Sequence, residues 1–190
     1  MRSIFSKLLC ALVAAILLVP VARADDAKPA PKAQPASVGE VRTQTLKGFT
    51  FFYLSTRTKF ADLKQKVETM IPELQKGVAD SHARVAGSLT FIYHGATDDA
   101  NAEFDMEIGF PIEEKVPANG NFKVRDVPDY KCMSVLFTGS FDQFSSAYEK
   151  LMPAAMAAPD AKTGESREMY LYFEETKSPN NVVHVSVGIK

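Results

Sequence analysis

The chain carries one pattern twice, and this repetition constrains its fold more than any other feature. In the first copy, Phe60 precedes Pro72 by twelve residues. In the second copy, Phe141 precedes Pro153 by the same twelve residues. Other matching residues are offset by 77 to 81 positions, so the spacing holds while the loops between them vary. A fixed spacing of this kind indicates one supersecondary unit that is used twice.

Each copy is predicted to contain two strands, a helix and two further strands. The helices are predicted from apolar residues at three- and four-residue spacing, such as Phe60, Leu63 and Val67. Short aromatic and β-branched segments with alternating side chains predict the strands. The expected fold class is therefore α+β, with duplicated βαββ-type modules at 41–112 and 122–190. We expect one antiparallel sheet with the helices on one face and a ligand groove on the other.

The first 24 residues have the composition of a secretory signal peptide. A basic start precedes the apolar residues 8–19, and the Ala-Arg-Ala sequence at 22–24 is typical of a cleavage site. The apolar stretch is short for a membrane-spanning helix, which needs about 20 residues. We expect cleavage after Ala24 and a periplasmic or secreted protein without stable membrane insertion. A retained membrane anchor is the alternative.

Residues 25–40 are rich in Ala and Pro and lack aromatic side chains, so we expect a disordered tether before a domain at 41–190. After cleavage, the chain has 19 basic and 23 acidic residues and a net charge of −4. This balance does not favour a nucleic-acid partner. Cys132 is then the one remaining cysteine, which excludes an internal disulfide.

The strand REMYLYF at 167–173 places a carboxylate among aromatic rings. Side chains alternate between the two faces of a strand, so Glu168 and Tyr170 share one face. The other face contains Met169 and Leu171 and is apolar, so we expect it to pack on the helices. Glu168 and Tyr170 then face the groove, together with matching residues of other strands. The further predicted ligand-binding residues are Phe91, Tyr93, Tyr53 and His184. The same alternation sends Asp105, Glu107, His184 and Ser186 to the Glu168 face.

Three short motifs resemble a known family. TGSFDQFSSAYEKL at 138–151, REMYLYF at 167–173 and MEIGFPI at 106–112 are similar to motifs of GyrI-like domains. These domains are also the effector-binding domains of AraC-type and multidrug-responsive regulators. The resemblance implies duplicated SHS2-like modules around a small-molecule groove. It also implies that Glu168 receives lipophilic, cationic, aromatic compounds.

The sequence departs from that family in three respects. It shows no DNA-binding domain, its leader predicts export, and it contains no Trp, a residue that commonly lines such grooves. We therefore expect a stand-alone small-molecule-binding protein rather than a transcription regulator. A protein partner remains open, because the sequence does not indicate which one it would be.

Several alternatives remain open for the same residues. In a hydrolase, Glu168 would be the general acid or base and Tyr170 the donor, because burial among rings raises a carboxyl pKa. Haem or tetrapyrrole binding is a weaker alternative, since the haem-binding SOUL proteins resemble the same duplicated fold. A salt bridge to Arg167 would give Glu168 a purely structural role. His82, His94 and His184 lack metal-ligand spacing, so neither a metal nor a cofactor is predicted.

Overall fold

The computed structural model describes residues 34–97, 99–158 and 162–190. The predicted signal peptide and the start of the predicted tether lie outside these residues. The first half contains β1 (Ser37–Val38), β2 (Arg42–Leu46), β3 (Phe49–Thr58), α1 (Leu63–Asp80), β4 (Thr90–His94) and β5 (Phe104–Ile112). The second half contains β6 (Lys123–Val127), β7 (Tyr130–Thr138), α2 (Ser145–Ala157), β8 (Lys162–Tyr172) and β9 (Val182–Ile189).

The described strands form one antiparallel sheet, which confirms the predicted α+β class. The strand order is β1-β7-β9-β8-β4-β5-β3-β6, and β2 also pairs with β7. A short 3₁₀ turn precedes each helix, at Phe60–Asp62 and at Phe141–Gln143. Both helices continue past their prolines, Pro72 and Pro153.

The two helices cover different parts of one side of the sheet, which we call the helix face. Helix α1 packs on β3 and β5, whereas α2 packs on β7 and β9. The main core lies between the helices and this face, and it includes Phe52, Leu63, Met106, Val135 and Leu151. The central strands β4 and β8 therefore lie beneath the gap between the helices.

The two halves exchange their outer strands. Strand β2 of the first half pairs with β7 of the second, and β6 of the second half pairs with β3 of the first. The connections are short, because only Lys47 and Gly48 separate β2 from β3. The Gly48 N–H donates to Asp129 Oδ1 at 2.8 Å, which joins the two connections. The side of the sheet away from the helices, the far face, has its own small cluster of Phe51, Tyr53, Ile92 and Val127.

Part of the predicted tether is folded against the sheet. Residues 34–40 were expected to belong to the disordered tether, but Ser37 and Val38 pair with β7. The Gly39 N–H also donates to the Leu136 carbonyl at 2.8 Å. The edge of β7 offers backbone groups that need hydrogen-bond partners. Pairing with this edge holds residues 37–39 in place, although the segment is too polar to form a core of its own. Among the described residues, no helix is long and apolar enough to span a membrane.

Candidate functional site

Glu168 lies at the centre of the sheet, on the helix face. Strands β4 and β8 pair there, with Phe91 opposite Glu168. The carboxyl is 1% exposed. These strands lie beneath the gap between α1 and α2. The side chains that surround Glu168 therefore come from the sheet and from α2.

Three tyrosine hydroxyls hold the Glu168 carboxyl. Tyr148 donates to Oε1 at 2.5 Å, while Tyr93 and Tyr170 donate to Oε2 at 3.0 and 2.8 Å. Tyr148 belongs to α2, and the other two belong to β4 and β8. A buried carboxylate without hydrogen bonds is very unfavourable, so these donors make its burial tolerable.

Burial and hydrogen bonding act on the carboxyl in opposite directions. Burial raises the pKa of Glu168 above its usual 4.5, and the hydrogen bonds from Tyr148, Tyr170 and Tyr93 oppose that rise. Burial, together with the nearby Glu168, also raises the pKa of each tyrosine well above 10. The three hydroxyls therefore stay protonated and remain donors.

Aromatic rings form the rest of the surroundings. The Phe91 ring lies 5.1 Å from Tyr170 and 6.1 Å from Tyr93, measured between ring centroids. Phe141 contacts Tyr170 at 5.9 Å from the helix side. We call Glu168, Tyr93, Tyr148, Tyr170 and Phe91 the carboxyl cage.

No cation neutralises the carboxyl cage. Across residues 34–97, 99–158 and 162–190, no Lys, Arg or His lies within ion-pair distance of Glu168. The predicted alternative of a salt bridge to Arg167 is wrong, because Arg167 lies on the far face and pairs with Glu165 at 2.6 Å. The net charge of the ionised cage is therefore negative.

The structure reverses the predicted faces of β8. Glu168 and Tyr170 face the helices, whereas Met169 and Leu171 lie on the far face. The prediction took the purely apolar side as the core side. Tyrosine rings provide as much apolar surface as aliphatic chains, and their hydroxyls satisfy the acid, so the mixed side can be buried.

The same reversal separates the other predicted residues. Phe91 and Tyr93 join Glu168 and Tyr170 as expected. Tyr53 lies on the far face, where it stacks on Phe51 at 5.2 Å. The far face also contains His184, which lines a cavity there. Three further residues expected beside Glu168 also lie on the far face. Glu107 forms an ion pair there, Ser186 lies opposite Arg167 in the β8–β9 register, and Asp105 lies opposite His94 in the β4–β5 register.

Sequence reasoning missed the role of Tyr148. The helix periodicity assigned this residue to the core, and it is 3% exposed. Its hydroxyl is the signal that was available, because a buried tyrosine normally finds a hydrogen-bond partner. Glu168 is that partner.

The far face buries its carboxylates differently. Glu107 pairs with Arg125 at 2.5 Å, and His94 lies 3.7 Å from both Glu107 and Glu165. Burial alone would raise the pKa of Glu107, but the nearby His94 and the hydrogen bond from Arg125 bring it below 4.5. Arg167 completes the row beside Glu165. No group of three or more His, Cys, Asp or Glu side chains suited to a metal occurs in the described part of the chain.

The comparisons with known proteins assign the chain to a class of small-molecule-binding domains. The profile of the family described as "GyrI-like small molecule binding domain" matches residues 39–190. The chain belongs to this GyrI-like family. No curated protein sequence matches the chain significantly.

Solved structures share the fold at low sequence identity. The C-terminal domain of EcmrR has a TM-score of 0.66 and 16% identity, with 80% of this chain and 97% of that domain covered. EcmrR in a DNA complex has a TM-score of 0.68 and 14% identity. The match covers 80% of this chain but only 57% of that EcmrR chain. SAV2435, solved with bound tetraphenylphosphonium, has a TM-score of 0.53 and 15% identity, with 80% and 94% covered.

Proposed function

We propose that this GyrI-like domain binds lipophilic organic cations, with Glu168 as the charge partner. The observation that carries the proposal is a carboxyl that is 1% exposed and held by three neutral donors without a cation. A buried charge that lacks a counter-charge favours any ligand that provides one. The bound tetraphenylphosphonium of SAV2435, a protein of the same fold, supports this ligand class.

The rings around Glu168 favour a cation with delocalised charge and an apolar surface. The Phe91 ring packs against Tyr93 and Tyr170, whose hydroxyls contact the acid. Aromatic faces attract cations, and the attraction grows when water is excluded. A compact ammonium is strongly hydrated and loses more on entering such a site than a phosphonium or an aromatic cation does.

Binding requires the cage to open. Glu168 and Phe91 are each 1% exposed, and Phe141 stacks on Phe173 at 5.6 Å near Tyr170. The cage lies beneath the gap between α1 and α2, so we expect a ligand to enter there. We expect aromatic side chains to move aside there when a ligand enters.

The proposal is tested by comparing a cation with a neutral analogue. Tetraphenylphosphonium and triphenylphosphine oxide are titrated by calorimetry against wild type and Glu168→Gln. We expect the cation to bind at least ~10-fold more weakly to the variant, because a buried charge partner is lost. The neutral compound should be almost unaffected. Equal losses for both compounds would contradict the proposal.

Glu103→Gln is the matched control for that experiment. It removes the same charge from an exposed side chain that pairs with Arg57 at 3.0 Å. Its cation affinity should equal that of the wild type. A similar loss in both variants would assign the effect to the overall charge of the protein rather than to the cage.

We also propose that the protein acts outside the cytoplasm. The basic, apolar and small-residue segments of 1–24 support export. The mass of protein purified from its own cells tests this directly. A mature chain that starts at Asp25 is expected, and an intact Met1 terminus would contradict the proposal.

A second candidate function uses the same carboxyl for proton transfer. Its raised pKa and its contact with the Tyr170 hydroxyl suit a general acid or base in hydrolysis. Turnover of a panel of reactive esters and epoxides that is lost in Glu168→Gln would favour this function. Binding without turnover would leave cation binding as the role of the site.

A further inference from the structure

The far face contains a cavity of about 510 Å³, on the opposite side of the sheet from the carboxyl cage. It lies beside β2, β7, β8 and β9 on the side of the sheet away from the helices. Its volume falls within the range of small-molecule sites, about 300–1,000 Å³. The cage residues are not among its lining residues, so the two sites share no side chain.

One wall of this far-face cavity is aliphatic and open to solvent. Leu136 and Leu171 are 44% and 46% exposed, and Met169 also lines the cavity. Leu136 and Met169 both pair with His184 of β9, so these side chains sit in adjacent positions across three strands. A clustered, exposed aliphatic surface within a concavity is typical of a binding site rather than of scattered surface residues.

The base of the cavity is polar, and one of its donors lacks an acceptor. The Gln44 amide nitrogen donates to Ser134 Oγ at 2.6 Å and lies 2.9 Å from His184 Nε2. An amide nitrogen only donates, so Nε2 accepts and the proton of the neutral imidazole is on Nδ1. Nδ1 is buried and has no hydrogen-bond partner in the described residues. A ligand oxygen beside the imidazole would provide the missing acceptor.

The rim of the cavity carries a positive charge that is not cancelled. Glu40 and Arg42 both line the cavity, and Glu40 pairs with Lys150 at 3.2 Å. Arg42 is exposed and forms no ion pair with any residue of 34–97, 99–158 or 162–190. A guanidinium in this position matches the geometry of a carboxylate head group.

We propose that the far-face cavity is a second ligand site, which binds a carboxylate with an aliphatic body. The aliphatic chain contacts Leu136, Met169 and Leu171, and Arg42 binds the carboxylate. The Nδ1–H of His184 donates to a further oxygen of the ligand, while Gln44 holds the imidazole in this tautomer. This site selects the opposite charge from that proposed for the carboxyl cage, and it does not depend on cation binding.

Decanoate, decan-1-ol and decyltrimethylammonium test the proposal, each below its micellar concentration. Titrations followed by amide chemical shifts of isotope-labelled protein should show saturable decanoate binding with the largest shifts in β2, β7, β8 and β9. Decanol should bind more weakly, and the cation should not bind at this face. No saturable decanoate binding, or shifts centred on the cage, would overturn the proposal.

Matched variants separate the head-group contact from other effects. Arg42→Gln should weaken decanoate binding by about 10-fold and leave decanol binding unchanged, because one charge-assisted contact is lost. Leu171→Ser should weaken both compounds. Arg84→Gln removes the same charge from an arginine that pairs with Glu113 and Glu114, and it should have no effect. Equal effects of Arg42→Gln and Arg84→Gln would overturn the assignment of Arg42.

Glu168→Gln distinguishes the two sites. It should abolish the preference for tetraphenylphosphonium and leave the decanoate affinity unchanged. Loss of decanoate binding in this variant would contradict the second site, whatever the result for the cation. An unchanged cation affinity would contradict the proposed function and leave the second site intact.

Discussion

The two faces of the sheet bury their carboxylates with opposite partners. On the helix face, three neutral tyrosine hydroxyls hold Glu168. On the far face, Glu107 and Glu165 lie beside Arg125, His94 and Arg167. Neutral donors make burial tolerable but leave the charge in place, whereas cations cancel it. Of these buried carboxylates, Glu168 therefore keeps a negative charge that no cation of the described residues cancels, whereas Glu107 and Glu165 are paired.

The largest expected effect comes from making the same substitution on each face. Glu165→Gln removes the partner of Arg167, whose side chain is 3% exposed, and leaves an uncompensated buried cation. We expect a loss of about 3 kcal/mol in the free energy of unfolding, as measured by urea denaturation. Glu168→Gln should change it by less than ~1 kcal/mol at neutral pH, since it removes a charge that has no counter-charge. Equal losses of unfolding free energy in the two variants would mean that both acids have a structural role.

A smaller effect is expected from removing one donor of the cage. Tyr148→Phe takes away the shortest hydrogen bond to Glu168 and should cost about 1.5 kcal/mol of unfolding free energy. Tyr172→Phe is the control, because Tyr172 is 50% exposed and donates to Glu174 at the surface. A loss in the control as large as that in Tyr148→Phe would argue against a special role for the cage.

The pH dependence of cation binding reports on the ionisation of Glu168. Burial raises the pKa of Glu168 above 4.5, so the carboxyl is neutral below that value and becomes ionised as the pH rises through its folded pKa. Tetraphenylphosphonium affinity should therefore increase about 10-fold or more over this range. Tyr148→Phe should move the midpoint to higher pH, because it removes a hydrogen bond that stabilises the ionised form. A flat profile in wild type would exclude the ionised acid as the partner.

The free energy of unfolding should also depend on the ionisation of Glu168. It should fall as the pH rises, whereas cation affinity increases. A folded pKa above 4.5 means that the native state holds the proton more tightly, so stability is greatest below that pH and falls as the pH rises through the folded pKa. Glu168→Gln should remove this part of the pH dependence.

The smallest effect is expected at His94 on the far face. The Glu107 carboxylate, 3.7 Å from the imidazole, raises the pKa of His94 above 6.5, although burial acts against it. Its stabilisation is therefore present below 6.5 and lost as the pH rises through the folded pKa. His94→Gln should cost less than ~1 kcal/mol in acid and nothing in base, because the side chain is 37% exposed. His82→Asn replaces a surface histidine and should change the free energy of unfolding neither in acid nor in base.

Side-chain periodicity was sufficient to predict the architecture. The spacing of Phe60, Leu63 and Val67 predicted α1, and the alternation in REMYLYF predicted β8. The family resemblance added the expectation of a small-molecule domain, which the family profile confirms over 39–190. These features are local, because they depend on neighbours within a few positions of the chain.

The site was only partly predictable, because alternation separates two faces without indicating which one is buried. Glu168, Tyr170, Phe91 and Tyr93 were grouped correctly but assigned to the wrong side. Which face of β8 is buried depends on Tyr148. This residue is 20 positions away from Glu168, and its hydroxyl contacts the acid only in the folded domain. The ordering of Ser37 and Val38 also depended on a distant strand edge.

The exchange of β2 and β6 between the halves has a consequence for protein production. A fragment that ends after β5 would lack β7 as the partner of β2 and β6 as the partner of β3. Each fragment would expose unpaired backbone along a strand edge, which promotes association with other chains. We therefore expect neither half to be obtained as a soluble monomer by itself, and co-expression of the two fragments to restore the intact domain.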